Sequence, residues 1–264
     1  MTQYNWTNVS KVIKAEAITL QSEFLRLLEQ KLLGIYLHGS LALGSFQPAR
    51  SDINVIAVVA EKIDVALKRE LIELLLRISN MPRPLDVYVL TAKDLVPFHP
   101  PLPFELHYTE RLRDKVQQEL RNGNWQHWND TAHSDADLTI SLAVLQRSGI
   151  VLSGKPIQET LPSIPEASFR EALIKSVQVA QAQLPQDPIS FVLNTCRTVA
   201  YLQENSVLSK DDGGRWGLIH LPEPYQALIQ QSLAFYKGEQ LKRPVGRAVL
   251  NAFVADINER LSIH

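Results

Sequence analysis

Two short apolar runs, Ile35-Tyr36-Leu37 and Asn54 to Val59, stand either side of a polar stretch bearing glycine and proline, and this pairing constrains the fold most tightly. Runs of this length, rich in β-branched and aromatic residues, read as strands, so Gly39-Ser40 falls at the end of one and Asp52 at the start of the next. Leu41 to Ser51 begins as a short helix and closes in a loop at Pro48. A glycine lets a phosphate approach the backbone, N–H groups at a helix start attract negative charge, and Ser40 adds a hydroxyl. Residues i and i+2 of a strand point to one side, so Asp52 and Asn54 can share a divalent cation with a triphosphate.

The flanking sequence supplies layers for such strands. Val12, Ile13, Ala17, Leu20, Phe24, Leu27, Leu28 and Leu32 recur at a helical period, predicting a helix over 11–33, and the same period predicts another over 63–78. Met81-Pro-Arg-Pro84 breaks that helix, and Leu85 to Leu90 reads as a third strand with Asp86 near its start. Asp86 is then either an edge-strand charge facing solvent or a carboxylate of the site. Four prolines make a loop of 97–103, and 105–121 reads as helical. Trp125 and Trp128 read as packing, and Asp135 as the N-cap of a helix that includes Leu138, Leu142 and Leu145. Residues 149–165, with Gly154, Pro156, Pro162 and Pro165, are the most linker-like segment. Helical patterns follow over 169–184, 189–204, 224–237 and 244–261. The expectation is an α+β protein: a small mixed sheet flanked by helices in residues 1–156, then a helical bundle in 157–264.

Composition narrows the partners. With 27 Lys plus Arg against 28 Asp plus Glu in 264 residues, no global positive field favours nucleic acid, and a small molecule fits better. The single Cys196 cannot form an intramolecular disulfide, and reads as a small buried hydrophobe rather than a nucleophile. No apolar run reaches the roughly 18 residues of a membrane span, and the N-terminus lacks signal-peptide features. A cytoplasmic monomer is expected.

Gly-Ser followed by Gly and then Ser-Asp-x-Asn resembles the signature of the DNA polymerase β-like nucleotidyltransferase superfamily. The order of landmarks is similar to the bacterial aminoglycoside adenylyltransferases that modify streptomycin and spectinomycin. These landmarks are Leu-His-Gly-Ser (37–40), Ser-Asp-Ile-Asn (51–54), Pro-Leu-Asp-Val (84–87), Phe-Glu-Leu (104–106), Asp-Ala-Asp-Leu (135–138), Val-Leu-Asn-Thr-Cys-Arg (192–197), Ser-Lys-Asp (209–211) and Leu-Pro-x-x-Tyr-Gln (221–226). The first is common to many transferases; the later ones are family-specific.

The resemblance implies transfer of AMP from ATP, with Mg2+, to a hydroxyl of an aminoglycoside-type acceptor. It implies that Gly39, Ser40 and Ser51 hold phosphate, and that Asp52, Asn54 and Asp86 bind metal. Asp86 falls where the family carries its catalytic acid, usually the longer Glu, and Asn54 where a second metal-binding carboxylate normally stands. Arg197, Lys210 and Tyr236 match residues that contact the nucleotide, although Lys210 beside Asp211 and Asp212 also reads as a solvated turn. Asp187 matches an acid used for the antibiotic, and reads equally as a plain loop acid. Arg111 falls where streptomycin-modifying members carry a Trp, and Gln183 where they carry a second acid. A cation at 111 repels a cationic drug and offers no equivalent stacking face, so spectinomycin is expected to be handled better than streptomycin. Two other readings stay open: a nucleotidyltransferase with a different small acceptor, and, given Asn54, a nucleotide-binding sensor without turnover.

Overall fold

The structure, a computed structural model, describes residues 4–184, 186–239 and 246–262. Two compact units divide the chain, residues 1–165 and 166–264.

The first unit opens with helix α1 (Lys11–Leu28), whose buried stripe includes Ile13, Ala17, Leu20, Phe24 and Leu28. Expected to run to residue 33, the helix stops at Leu28, where Glu29 takes a positive φ of 46°; Leu32 and Leu33 already belong to strand β1 (Leu32–His38). A leucine pair fits either period, and pairing with the neighbouring strands decides it here. The short α2 (Gly39–Leu43), β2 (Ile53–Val59), α3 (Val65–Ile78) and β3 (Leu85–Thr91) follow. The Asp64 carboxylate caps α3 by accepting from the Leu67 N–H at 2.8 Å.

Next come β4 (Leu102–Phe104), β5 (Leu106–Thr109), α4 (Arg113–Asn122), β6 (His133–Asp135), α5 (Leu138–Ser148), β7 (Ile150–Gly154) and α6 (Ile157–Thr160). Five strands form one sheet in the order β5-β3-β2-β1-β7, and β4 pairs with β6 in a separate ribbon. Within the large sheet β2 and β3 are parallel, joined by the α3 crossover that parallel neighbours require, and the other pairs are antiparallel.

Both faces of the sheet are covered, which is why β2 reads as an unbroken apolar run from Val55 to Val59. Ile35, Leu37, Val55, Ala57, Val87 and Tyr108 belong to the core shared with α1 and α3. Tyr36, Ile56, Val58, Tyr88 and Leu90 belong to the core shared with Leu138, Leu142 and Leu145 of α5.

Two stretches differ from expectation. Residues 105–121 turn helical only at Glu110, in a short 3-10 turn that leads into α4; Leu106 to Thr109 is the edge strand β5, because Leu106 and Tyr108 fill the α1/α3 core while His107 faces the other way. The linker-like 149–165 contains β7, which pairs with β1 along Gly34 to Leu37.

The second unit is helical: α7 (Glu166–Ala182), α8 (Pro188–Glu204), α9 (Lys210–His220), α10 (Gln226–Tyr236) and α11 (Arg247–Arg260). Pro244 and Val245, expected at the start of the last helix, lie outside the described residues. α8 is its spine, burying Phe191, Val192, Leu193, Cys196 and Val199 against Trp216, Ile229 and Phe253. Burial pushes the Cys196 thiol up to about 12, so at neutral pH it is a packed apolar group.

Candidate active site

Strand register builds the site. His38, Asn54, Asp86 and Thr109 are successive partners across β1, β2, β3 and β5, at the end of the sheet where α2 begins. The Asn54 amide Nδ2 donates to Asp86 Oδ2 at 3.2 Å, so the two side chains stand on the same face. Asp52, two residues before Asn54, is exposed and immediately precedes β2.

The Gly39-Ser40 turn meets the same amide. Gly39 has φ +67°, and a Cβ there would run into Asn54 Oδ1, so a glycine is required both for the backbone and for the approach of Asn54. Asn54 therefore sits between the turn and Asp86, its oxygen toward one and its nitrogen toward the other. Ser40 lies in the first turn of α2, half-buried. The Ser51 hydroxyl is buried and accepts from the Gln47 N–H at 2.9 Å, closing the loop before Asp52 and leaving its own O–H to donate.

Three supporting interactions escape a sequence reading. His107 Nε2 lies 3.1 Å from Asp86 Oδ1, and its ring stacks on Tyr88 at 3.8 Å between centroids. The Tyr88 hydroxyl donates to Asp135 Oδ2 at 2.5 Å, and its pKa is raised, by burial first and by that carboxylate second. Asp135 is consequently not the N-cap of α5: it lies in β6, its other oxygen accepting from the Asp137 N–H, and Asp137 holds the cap position. On the approach to Asp52, the buried Glu16 of α1 accepts from the N–H groups of Met81 and Arg83, and Arg83 Nε donates to the Ser51 carbonyl. The brief alternation of Leu106-His-Tyr-Thr109, too short to establish a period, and an acid at position 16 inside the α1 apolar stripe are the local traces these residues leave in the sequence.

His38, buried beside Gly39, has its pKa lowered to about 4 because burial disfavours the imidazolium more than Asp86 favours it. It is neutral at physiological pH.

Arg111 is exposed on the turn between β5 and α4. In the helical unit Arg197 is half-buried on α8, where its backbone and Cβ leave room for nothing larger than Gly213 on α9. Lys210 opens α9 and donates to Ser190 Oγ at 3.3 Å, so it does not sit in a solvated turn. Its neighbour Asp211 is buried, with Lys237 at 3.0 Å and Arg215 at 3.1 Å. Tyr236 ends α10, half-buried. Asp187 is exposed and caps α8 by accepting from the Ser190 N–H at 3.0 Å; Gln183 is exposed after α7.

Residues 159–260 match the family described as the aminoglycoside adenylyltransferase C-terminal domain. Along most of its length the chain is similar to curated proteins of that kind. It is 27% identical to the spectinomycin 9-adenylyltransferase of Campylobacter jejuni, covering 80% of this chain and 81% of that one. It is 27% identical to the aminoglycoside (3'') (9) adenylyltransferase of Escherichia coli, covering 90% and 92%. The fold is shared with the spectinomycin adenyltransferase of Enterococcus faecialis, solved with ATP and spectinomycin, at a TM-score of 0.79 and 24% identity, over 94% of this chain and 99% of that one.

A mixed sheet carrying a glycine turn and acids at one end, followed by this helical unit, defines a nucleotidyltransferase. Within that class the chain is similar to the aminoglycoside adenylyltransferases along most of its length, and residues 159–260 match their C-terminal domain.

Proposed function

We propose that this protein transfers AMP from ATP to a hydroxyl of an aminoglycoside-type antibiotic, with Mg2+, and that spectinomycin is a better acceptor than streptomycin. The observation that carries the reading is the placement of Asn54 between the Gly39-Ser40 turn and Asp86, which puts a phosphate-approach point and an acid against one side chain. The relatives' names supply the reaction and the acceptor class.

The residues divide the work as follows. The acceptor oxygen attacks the α-phosphorus of ATP, the bond to the β-phosphate oxygen breaks, and pyrophosphate leaves. Asp86 takes the proton of the attacking hydroxyl, which its ionised carboxylate can accept without rearrangement of the sheet. The Gly39 turn, the Ser40 hydroxyl and the Ser51 hydroxyl hold phosphate oxygens. From the second of the two functional parts, 157–264 after 1–156, Arg197 and Lys210 bring positive charge to the triphosphate and Tyr236 contacts the nucleotide. Asp187 serves the cationic acceptor, and Arg111 disfavours the larger drug.

The donor set fits magnesium. Asp52 and Asp86 offer carboxylate oxygens, and Asn54 would offer its amide oxygen by turning from its donation to Asp86; these are the hard donors this ion takes. Among the described residues no three His, Cys, Asp or Glu gather into a metal cage. Magnesium is normally held by one or two carboxylates plus substrate phosphates. When bound, magnesium neutralises charge on the triphosphate. The near-balanced charge of the chain supports a small-molecule substrate, and its lone, buried Cys196 a reducing compartment such as the cytoplasm; the working state proposed is a monomer.

A second reading, nucleotide binding without turnover, is favoured by the amide at 54, which removes one negative charge from the metal donors. The test is incubation of the full chain with ATP, Mg2+ and spectinomycin, streptomycin and related hydroxylated acceptors, with mass spectrometry of the products. An AMP adduct on spectinomycin, abolished by Asp86→Asn, is expected. ATP binding by calorimetry without any adduct selects the sensor reading, and an adduct only on an acceptor outside this class rejects the antibiotic.

A further inference from the structure

The acid assigned to proton transfer is held from both sides, and only one of its holders belongs to the metal-binding and phosphate-binding set. Asp86 Oδ2 accepts from Asn54 at 3.2 Å; Asp86 Oδ1 faces His107 Nε2 at 3.1 Å. An ionised carboxylate only accepts, so Nε2 is the protonated nitrogen.

His107 is itself immobilised. On β5 it is the register partner of Tyr88, and the two rings stack at an interplanar angle of 8°. Phe104 meets both rings edge-on, at 5.6 Å from Tyr88 and 5.8 Å from His107. Tyr88 is fixed in turn by its hydroxyl bond to Asp135 on β6, and Phe104 stacks on His133 of the same strand at 5.7 Å. The ribbon of β4 and β6 thus clamps the His107 ring, and the ring orients the carboxylate.

We infer that His107 is a positioning residue for Asp86: its Nε2–H fixes the carboxylate's rotation, so that each oxygen keeps one free lone pair aimed away from the sheet. The inference rests on the reading of Asp86 as the acting acid. An aspartate, one methylene shorter than glutamate, has a single χ1 to set its reach and a carboxyl torsion that is broad unless a donor fixes it. Asn54 alone supplies one donor; His107 supplies the second, on the other oxygen, which is what stops the carboxylate from turning. Partners of this kind, one bond removed from the reacting groups, are worth about 10- to 100-fold in activity in metal-assisted sites.

The experiment uses the full chain with ATP, Mg2+ and spectinomycin as acceptor, and measures kcat and the ATP KM for His107→Ala and His107→Gln, with melting temperatures for each. His107→Ala is expected to lower kcat about 10- to 100-fold while the ATP KM moves less than about threefold, the signature of an interaction used in the transition state. His107→Gln retains an N–H donor of similar reach and is expected to recover most of kcat. Wild-type kcat in His107→Ala, or equal losses in both variants when His107→Gln melts as the wild type does, overturns the positioning role. Should the alanine variant not fold, His107→Phe, which keeps a stacking ring and removes the donor, decides: a kcat loss of about 10- to 100-fold at a melting temperature near wild type sustains the role, and wild-type kcat overturns it. Asp86→Asn runs alongside, since full turnover there rejects the underlying assignment of Asp86 and not the geometry of His107.

Discussion

Asn54 presents its amide nitrogen to the carboxylate of Asp86 at 3.2 Å, where two carboxylates at the same spacing would repel. The amide lets the strands β2 and β3 pair with no cation between these side chains, at the cost of one charge for any cation that binds. Asn54→Asp is therefore expected to act in opposite directions with and without metal. Without magnesium, two like charges about 3 Å apart should lower the melting temperature and push one carboxyl pKa up. With magnesium and ATP, kcat should rise well above the wild type while the ATP KM changes little, because charge donated to the metal counts most as the transition state forms. Melting curves with and without magnesium, paired with kcat and KM, check both halves. Unchanged kcat in the aspartate variant would show that Asp52 and Asp86 suffice.

Arg111 stands exposed just beyond β5, four residues after His107 in the chain. Under the proposed reading its charge disfavours a polycationic drug, and its guanidinium does not offer the broad, uncharged aromatic face of a Trp. Arg111→Trp should lower the streptomycin Kd about tenfold, within the range of about 0.5–2 kcal/mol for cation–aromatic contacts, and should leave spectinomycin turnover within about threefold. Titration calorimetry with both drugs measures this. A wild-type enzyme that already turns over streptomycin as well as spectinomycin rejects the role given to Arg111.

Much of this site can be read in the sequence because its parts are local. Gly39-Ser40, Asp52 and Asn54 lie within sixteen residues, and strand ends follow from apolar runs bounded by Gly and Pro. The parallel register that sets Asn54 beside Asp86 is less legible, since it depends on the crossover through α3. His107 is hidden by a four-residue edge strand whose two inward residues, Leu106 and Tyr108, are too few to establish a period against the charged helix that follows. Likewise β7 lies in a Gly- and Pro-bearing stretch and owes its form to pairing with β1, a partner more than a hundred residues earlier. Asp135 carries the local signature of a helix cap, but the Tyr88 hydroxyl claims it, and no local rule anticipates that contact.

A buried ion pair ties α3 to the segment between β4 and β5. Lys68 Nζ lies 3.0 Å from Glu105 Oε2, with side chains 8% and 9% exposed, beside a cavity of about 210 Å³ lined also by Ile72, Val116 and Trp128. Removing one partner leaves the other's charge largely buried without its counter-ion. Lys68→Met is expected to cost roughly 3–5 kcal/mol of stability, whereas Lys68→Met with Glu105→Leu should recover most of it, since a buried pair often contributes little over apolar groups of similar volume. Urea unfolding of the single and double variants measures the difference. Equal losses in both would mean that the pair, and not merely its neutralisation, holds β5 in register.

Acid sensitivity should be concentrated in His38. Its pKa of about 4 in the fold lies below the ordinary value of 6.5, and burial is the larger cause. Between those two values the unfolded chain binds a proton at His38 that the folded chain does not, so folding is favoured more as the pH rises. This contribution is complete above about pH 6.5 and is lost progressively as the pH falls toward 4. From pH 7 to pH 5 the loss should be on the order of 2 kcal/mol. Carboxylates also titrate near the lower end, so the comparison must be with His38→Gln, which keeps a polar side chain of similar size without a titrating ring. Urea unfolding at both pH values should show the wild type losing about 2 kcal/mol more than the variant. Parallel losses would mean that protonated His38 is accommodated where it stands, next to Gly39 and within the field of Asp86, and that its neutrality is not what the fold demands.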